Sequence, residues 1–184
     1  MRIIAGEARG RTLVAPRGSG TRPTQDYVRE SLFNILSPRV PGARVLDLFA
    51  GTGALALEAV SRGAEYAVLC DRDRVALACI RKNVAAVRAE DRCRVFSGDY
   101  GACIRSLSGE TGFDLVFLDP PYNNQNTGEI SGMLMDAGLL LPGFLIVCEH
   151  RRGEPPKADG RFRAGDTRRY GDTEITFLSS CGEE

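Results

Sequence analysis

The chain has 184 residues, 24 Lys and Arg set against 24 Asp and Glu, a single histidine and no tryptophan. Zero formal net charge excludes a uniformly basic nucleic-acid-coating protein, and no apolar run approaches the roughly 20 residues of a membrane helix. Six cysteines, none in Cys-x-x-Cys spacing, and one histidine, His150, exclude the usual zinc sets and leave little for His-based catalysis, so no metal is expected.

At the amino terminus, "RIIAG" and "RTLVAP" flank "EARG" and predict a small hairpin. "TQDYVRESLFNIL" then places Val28, Leu32, Ile35 and Leu36 at helical spacing, and Pro38 ends that helix. Arg2, Arg9, Arg11, Arg17, Arg22 and Arg29 crowd the same stretch against Glu7, Asp26 and Glu30, which predicts a basic patch. No continuous apolar leader precedes these elements, so a cytoplasmic protein with no membrane partner is expected.

From Ala43 the pattern alternates. "RVLDLFA", "YAVLCD", "CRVFSGD", "FDLVFLD" and "GFLIVCEH" read as strands, with helical composition near 53–62, 73–89, 100–108 and 128–138. Such alternation predicts an α/β fold built on a mostly parallel, Rossmann-like sheet. "FRAGDTRRY" and "DTEITFLSS", joined near Gly171, add an antiparallel edge pair and bring the expected strands to seven. One domain is expected, with 1–42 as a hairpin-helix extension and 43–184 as the core.

The first strand runs into "LDLFAGTGALALEA", where Gly51-Thr52-Gly53 followed by Ala56 fits the Gly-x-Gly-x-x-Gly/Ala nucleotide fingerprint. An ordinary strand-to-helix turn would use the same glycines. Two acids sharpen the reading: Asp47, just before the glycines, and Asp71, which closes the second strand 18 residues after Gly53, where a ribose partner belongs. Asp99 and Asp119 end the third and fourth strands. Parallel strands place their carboxyl ends on one side, so the four acids are expected in one electronegative crevice without a phosphate-holding lysine. That crevice favours a small cation bearing an adenosine.

The fourth strand stops on Asp119-Pro120-Pro121-Tyr122. Two prolines end a strand by themselves, since each lacks the ladder N–H. The tetrapeptide also forms a rigid platform at the strand's carboxyl end, where open α/β sheets bind their ligands.

"VLDLFAGTGALALEA" resembles the first motif of class I S-adenosyl-L-methionine-dependent methyltransferases, and "DPPY" resembles the motif of those that methylate exocyclic amines of nucleobases. With "RIIAGEARGRTL", "RPTQDYVRESLFNIL" and "YGDTEITFL", the chain resembles over nearly its whole length the RsmD family of 16S ribosomal RNA guanine(966)-N2-methyltransferases. The resemblance implies S-adenosyl-L-methionine as cofactor and 16S ribosomal RNA within the small ribosomal subunit as partner; no obligate protein partner is evident in the sequence. It implies a catalytic group of Asp119, Pro120, Pro121 and Tyr122, and cofactor contacts from Asp47, Phe49, Gly51, Gly53, Asp71, Arg72, Asp99 and Tyr100. Arg22, Thr24 and Arg29 fall in the segment implied to meet the RNA, though a solvated helix face would look the same. Three alternatives stay open: an adenine-N6 methyltransferase, since "DPPY" serves that amine too; an NAD-dependent oxidoreductase reading "GTGALA" and Asp71 as a dinucleotide site; and a non-catalytic ribosome-assembly factor.

Overall fold

A computed structural model describes residues 1–16, 23–121 and 126–182. Its elements, in chain order, are α1 (Pro23–Leu36), β1 (Arg44–Asp47), α2 (Ala54–Ser61), β2 (Tyr66–Asp71), α3 (Arg74–Ala86), β3 (Cys93–Ser97), α4 (Tyr100–Leu107), β4 (Phe113–Leu118), α5 (Thr127–Asp136), β5 (Leu140–Arg151), β6 (Phe162–Tyr170) and β7 (Thr173–Ser180). The strands form one seven-stranded sheet in the order β3-β2-β1-β4-β5-β7-β6. β1 to β5 are parallel, while β7 runs antiparallel to both β5 and β6. The predicted alternation and the antiparallel edge pair are both present.

Strand order reverses between β1 and β4, because the chain winds outward to β3 and then returns to the other side of β1. An open parallel sheet has its ligand crevice at such a point, where loops leave neighbouring strand ends in opposite directions. Pleating sends Val45, Phe117 and Val147 to one face, under Phe33, Leu36, Leu57 and Ile80 of α1, α2 and α3. Leu46, Val116 and Ile146 point to the other face, under Ile104 and Leu107 of α4 and Ile130 and Leu134 of α5.

The amino-terminal hairpin is smaller than expected, a single antiparallel bridge between Arg2 and Thr12. Ile3 and Leu13 are almost wholly buried against the first core. The next donors, the amides of Ile4 and Ala5, go to the Glu58 carboxylate at 2.8 and 3.0 Å rather than to a partner strand. A side chain of α2 thus takes the Ala5 amide, the donor next in phase to lengthen the ladder, together with the outward-facing amide of Ile4.

Helix α1 runs against the direction of the central strands. Beyond its carboxyl end, Arg39 Nη1 donates to the carbonyl of Gly143 near the start of β5, at 2.9 Å. Phe33 packs on Phe117 near the end of β4, with ring centroids 6.0 Å apart, and Ser31 Oγ meets Tyr170 Oη at 2.8 Å at the carboxyl end of β6. The amino-terminal turns of α1, rising about 1.5 Å per residue, therefore extend toward the crevice side of the sheet.

Candidate active site

The glycine turn after β1 is tied down from three sides. The Ala50 amide donates to the carbonyl of Cys70 at 2.9 Å, and that of Gly53 to the carbonyl of Ala50 at 2.6 Å. The Gly51 amide donates to Asp71 Oδ2 at 2.8 Å. Gly53 has φ 77°, and a Cβ there would meet Leu69 Cδ2 at 2.8 Å, so its smallness serves the packing of α2 on β2. Gly51, at φ 55°, has nothing within 4 Å of a built Cβ, which leaves its upper side open to a ligand.

Asn83 of α3 clamps the turn from outside the predicted set. It is 1% exposed; its Nδ2 donates to the carbonyls of Thr52 and Val14 at 2.8 and 2.9 Å, and its Oδ1 accepts from the Val14 amide at 2.7 Å. One amide side chain thus links the glycine loop to the amino-terminal segment. A polar residue at a helix position otherwise reading as core was the available signal.

Asp47 lies at the bottom of the crevice, 1% exposed, and its Oδ1 has no hydrogen-bond partner. Burial, then the charge of Asp119, pushes its carboxyl up to about 8. A buried carboxyl with an empty acceptor is costly unless a donor or a cation completes it. This orphan oxygen, below an open glycine turn, fits a ligand bearing a positive group. Asp71 stays half-exposed at the end of β2, its Oδ1 accepting the Asp73 amide at 2.9 Å. Each Asp71 oxygen spends one lone pair on the backbone and keeps capacity for a ribose hydroxyl.

Farther along, the Phe49 and Tyr100 rings lie 5.7 Å apart at an interplanar angle of 48°. Asn126 Nδ2 donates to Tyr100 Oη at 3.0 Å while Asn126 Oδ1 is buried without a partner. Those two rings and the free amide oxygen suit an adenine, a flat ring with an exocyclic donor. Asp99 caps α4, its Oδ1 accepting the Ala102 amide at 2.8 Å, and the rest of its exposed carboxylate stays open to solvent. Arg72 is exposed beside Asp71.

Asp119 follows the last residue of β4, with Pro120 buried behind it and Pro121 exposed. It keeps solvent contact, yet its partly desolvated setting pushes its carboxyl up to about 6. Glu149 on β5 completes the row and went unpredicted; burial, then the charge of Asp119, raises it to about 8. It lies level with Asp119, two residues inside the end of β5, and "VCEH" hides it inside an apolar run.

The structure thus gathers Asp47, Phe49, Gly51, Gly53, Asp71, Asp99, Tyr100 and Asp119 at the carboxyl end of the sheet. Arg22 and Tyr122 lie outside the described residues, and Thr24 is placed only as backbone in the first turn of α1. Arg29, expected to face RNA, is instead 4% exposed. Its guanidinium donates to the Arg2 carbonyl and to Asp26 Oδ1, and lies 3.7 Å from Glu58. Glu58 is wholly buried and needs a counter-charge, so Arg29 turns inward.

The family model described as Conserved hypothetical protein 95 matches residues 1–179. The chain belongs to this family, the RsmD methyltransferases. YlbH of Bacillus subtilis, provisionally named an rRNA methyltransferase, is 36% identical over 99% of this chain and 100% of its own length. Ribosomal RNA small subunit methyltransferase D of Escherichia coli strain K12 is 41% identical over 81% of this chain and 74% of its own. The solved Escherichia coli structure yhhF, also provisionally named a methyltransferase, superposes with a TM-score of 0.85 at 35% identity, covering 98% of this chain and 97% of that one. As an RsmD protein the chain is an S-adenosylmethionine-dependent methyltransferase with the class I fold, and the oxidoreductase reading falls away.

Proposed function

We propose that this RsmD protein methylates the N2 amine of a guanine in 16S ribosomal RNA, in the cytoplasm, on the assembling small subunit. The observation that carries the reading is the row of carboxyls at the switch point: buried Asp47, its Oδ1 without a partner, beneath the glycine turn, and Asp119 beside it on a proline-stiffened strand end.

S-adenosylmethionine, when bound, supplies an activated methyl group carried on a sulfonium. Asp47 would meet its positive end, Asp71 its ribose, and Phe49, Tyr100 and Asn126 its adenine. A guanine N2 amine is a poor nucleophile because its lone pair is delocalised into the ring. Orientation is then the protein's main contribution. Asp119 and the Pro120 carbonyl accept the two amine hydrogens and turn the lone pair toward the methyl group. The amine must shed one proton as it is methylated, and Asp119, held near 6, is the adjacent group able to take it. Tyr122, in this reading, stacks on the base.

The amino-terminal extension offers the RNA surface. Arg2 and Arg9 line a groove of about 480 Å³ together with Asp26, Glu30 and Tyr27, the last 65% exposed on α1, so the arginines there are partly offset by two carboxylates. Exposed arginine beside an exposed aromatic suits phosphates and unpaired bases. So small an extension leaves part of the specificity to the folded shape of the substrate. The test is to incubate the protein with labelled S-adenosylmethionine and, separately, naked 16S RNA, partly assembled small subunits and duplex DNA, then identify the methylated nucleoside. N2-methylguanosine, formed best in the particles, is expected; N6-methyladenosine in its place would transfer the reading to an adenine methyltransferase.

A further inference from the structure

Glu149 stands beside Asp119, on the side of it away from the glycine turn. Register pairs Leu118 with Cys148, so the next residues, Asp119 and Glu149, are neighbours across adjoining strands. Both continue the alternation that sends Phe117 and Val147 to the α1 face, the face to which Val45 and hence Asp47 also belong. The glycine turn and Asp71 occupy the β1 and β2 side of Asp119, so a base with its amine held at Asp119 extends its ring the other way, over β5.

Among the described residues the Glu149 carboxyl accepts no hydrogen bond and makes no ion pair, although it is half-buried on a paired strand. Asp47, in the same row, carries the orphaned buried oxygen that independently marks this crevice as a ligand site. Two neighbouring carboxyls with open acceptors, Asp119 and Glu149, side by side on one sheet face, match an edge that presents adjacent donors.

The Watson–Crick edge of guanine is such an edge: N1–H stands next to the N2 amine. Adenine offers a bare N1 lone pair at the corresponding place. Resting on the guanine-N2 reading above, we propose that the Glu149 carboxylate accepts the N1–H of the target guanine and so selects guanine over purines without that hydrogen. Charge supports the assignment. Burial and Asp119 favour the protonated acid, and a cationic cofactor bound beside Asp47 and Asp119 would relieve that repulsion and return Glu149 to the accepting form. Base reading is then coupled to cofactor occupancy.

The experiment compares small-subunit particles assembled on 16S RNA carrying either guanine or 2-aminopurine at the methylated position. 2-Aminopurine keeps the exocyclic amine and lacks the N1 hydrogen. The wild-type protein is expected to prefer guanine by about 100-fold or more in kcat/KM, as a site built around a donor rejects an analogue without it. In Glu149→Ala that ratio should collapse to within about tenfold, while Glu149→Gln, whose amide oxygen still accepts, keeps an intermediate ratio. S-adenosylmethionine affinity, measured by calorimetry, should change less than about tenfold in both variants, a change set by the charge coupling they remove and too small to account for the lost selectivity. A guanine preference undiminished in both variants overturns the role of Glu149 and leaves the guanine reading intact. Failure of the wild-type protein to methylate the guanine particles overturns the reading beneath it.

Discussion

Asp71 anchors the glycine turn it faces: its Oδ2 accepts the Gly51 amide at 2.8 Å, across the gap between the ends of β1 and β2. An acid expected only to meet a ribose also fixes the loop beneath it. Asp71→Ala should therefore weaken S-adenosylmethionine binding more than a lost ribose contact alone, by about 30-fold or more, the sum of a charged hydrogen bond and a slackened loop. Asp71→Asn keeps an acceptor for Gly51 and should lose less. Gly51→Val, which adds a branched side chain at φ 55° and fills the open side of the turn, should abolish measurable binding in isothermal calorimetry. Unchanged affinity in Asp71→Ala and Gly51→Val would remove the cofactor from this crevice.

Asp119→Ala should cut kcat by about 100-fold or more while leaving cofactor affinity within a few-fold, because it removes an acceptor used while the amine is being oriented. Asp119→Asn retains one acceptor and should keep part of the activity. Single-turnover kinetics on small-subunit particles, paired with cofactor titrations, separate the two effects; normal turnover in Asp119→Ala would end its role in the chemistry.

The raised carboxyls predict a pH dependence with a definite sign. Asp47 and Glu149 titrate near 8 and Asp119 near 6 in the folded protein, against about 4 in an unfolded chain. Between these values the folded state binds more protons than the unfolded one, so stability falls as pH rises. This contribution is fully present below about pH 4 and is lost progressively as pH climbs toward 8. The cofactor-free melting temperature should accordingly decline from pH 5 to pH 8. A cationic cofactor favours the ionised acids, so its binding should release protons and tighten over the same interval. Melting curves, and calorimetry in two buffers of different ionisation enthalpy, check both signs; Asp47→Asn should flatten both slopes.

Glu58 is a hub without access to solvent. It is 0% exposed, accepts the amides of Ile4 and Ala5, meets Arg62 at 2.8 Å and faces buried Arg29 at 3.7 Å. Removing one partner of a buried pair leaves the other uncompensated, so Glu58→Ala should cost about 3–5 kcal/mol of stability. Arg29→Ala should likewise lower the melting temperature, rather than weaken RNA binding in a fully stable protein. Denaturant unfolding of the two variants gives the values, and a wild-type midpoint for either would contradict the hub.

By itself the sequence determined the succession of strands and helices, because periods of 2 and 3.6 residues are local properties of "RVLDLFA" or "RVALACIRKNVAA". It also determined that Asp47, Asp71, Asp99 and Asp119 share one end of the sheet, since parallel strands align their carboxyl ends whatever their order. What each acid does there was a tertiary matter: Asp99 caps α4, Asp71 holds Gly51, and Asp47 is left with an empty oxygen. Arg29 reads like any surface arginine until α1 is laid on the sheet beside Glu58, and the "RIIAG" ladder reads as a hairpin until Glu58 takes its amides. Glu149 became visible only when β5 was registered against β4. Local patterning reports which face of an element is apolar, whereas burial of a charge and the neighbour of a carboxyl depend on partners distant in the chain, and only the packed structure brings those partners together.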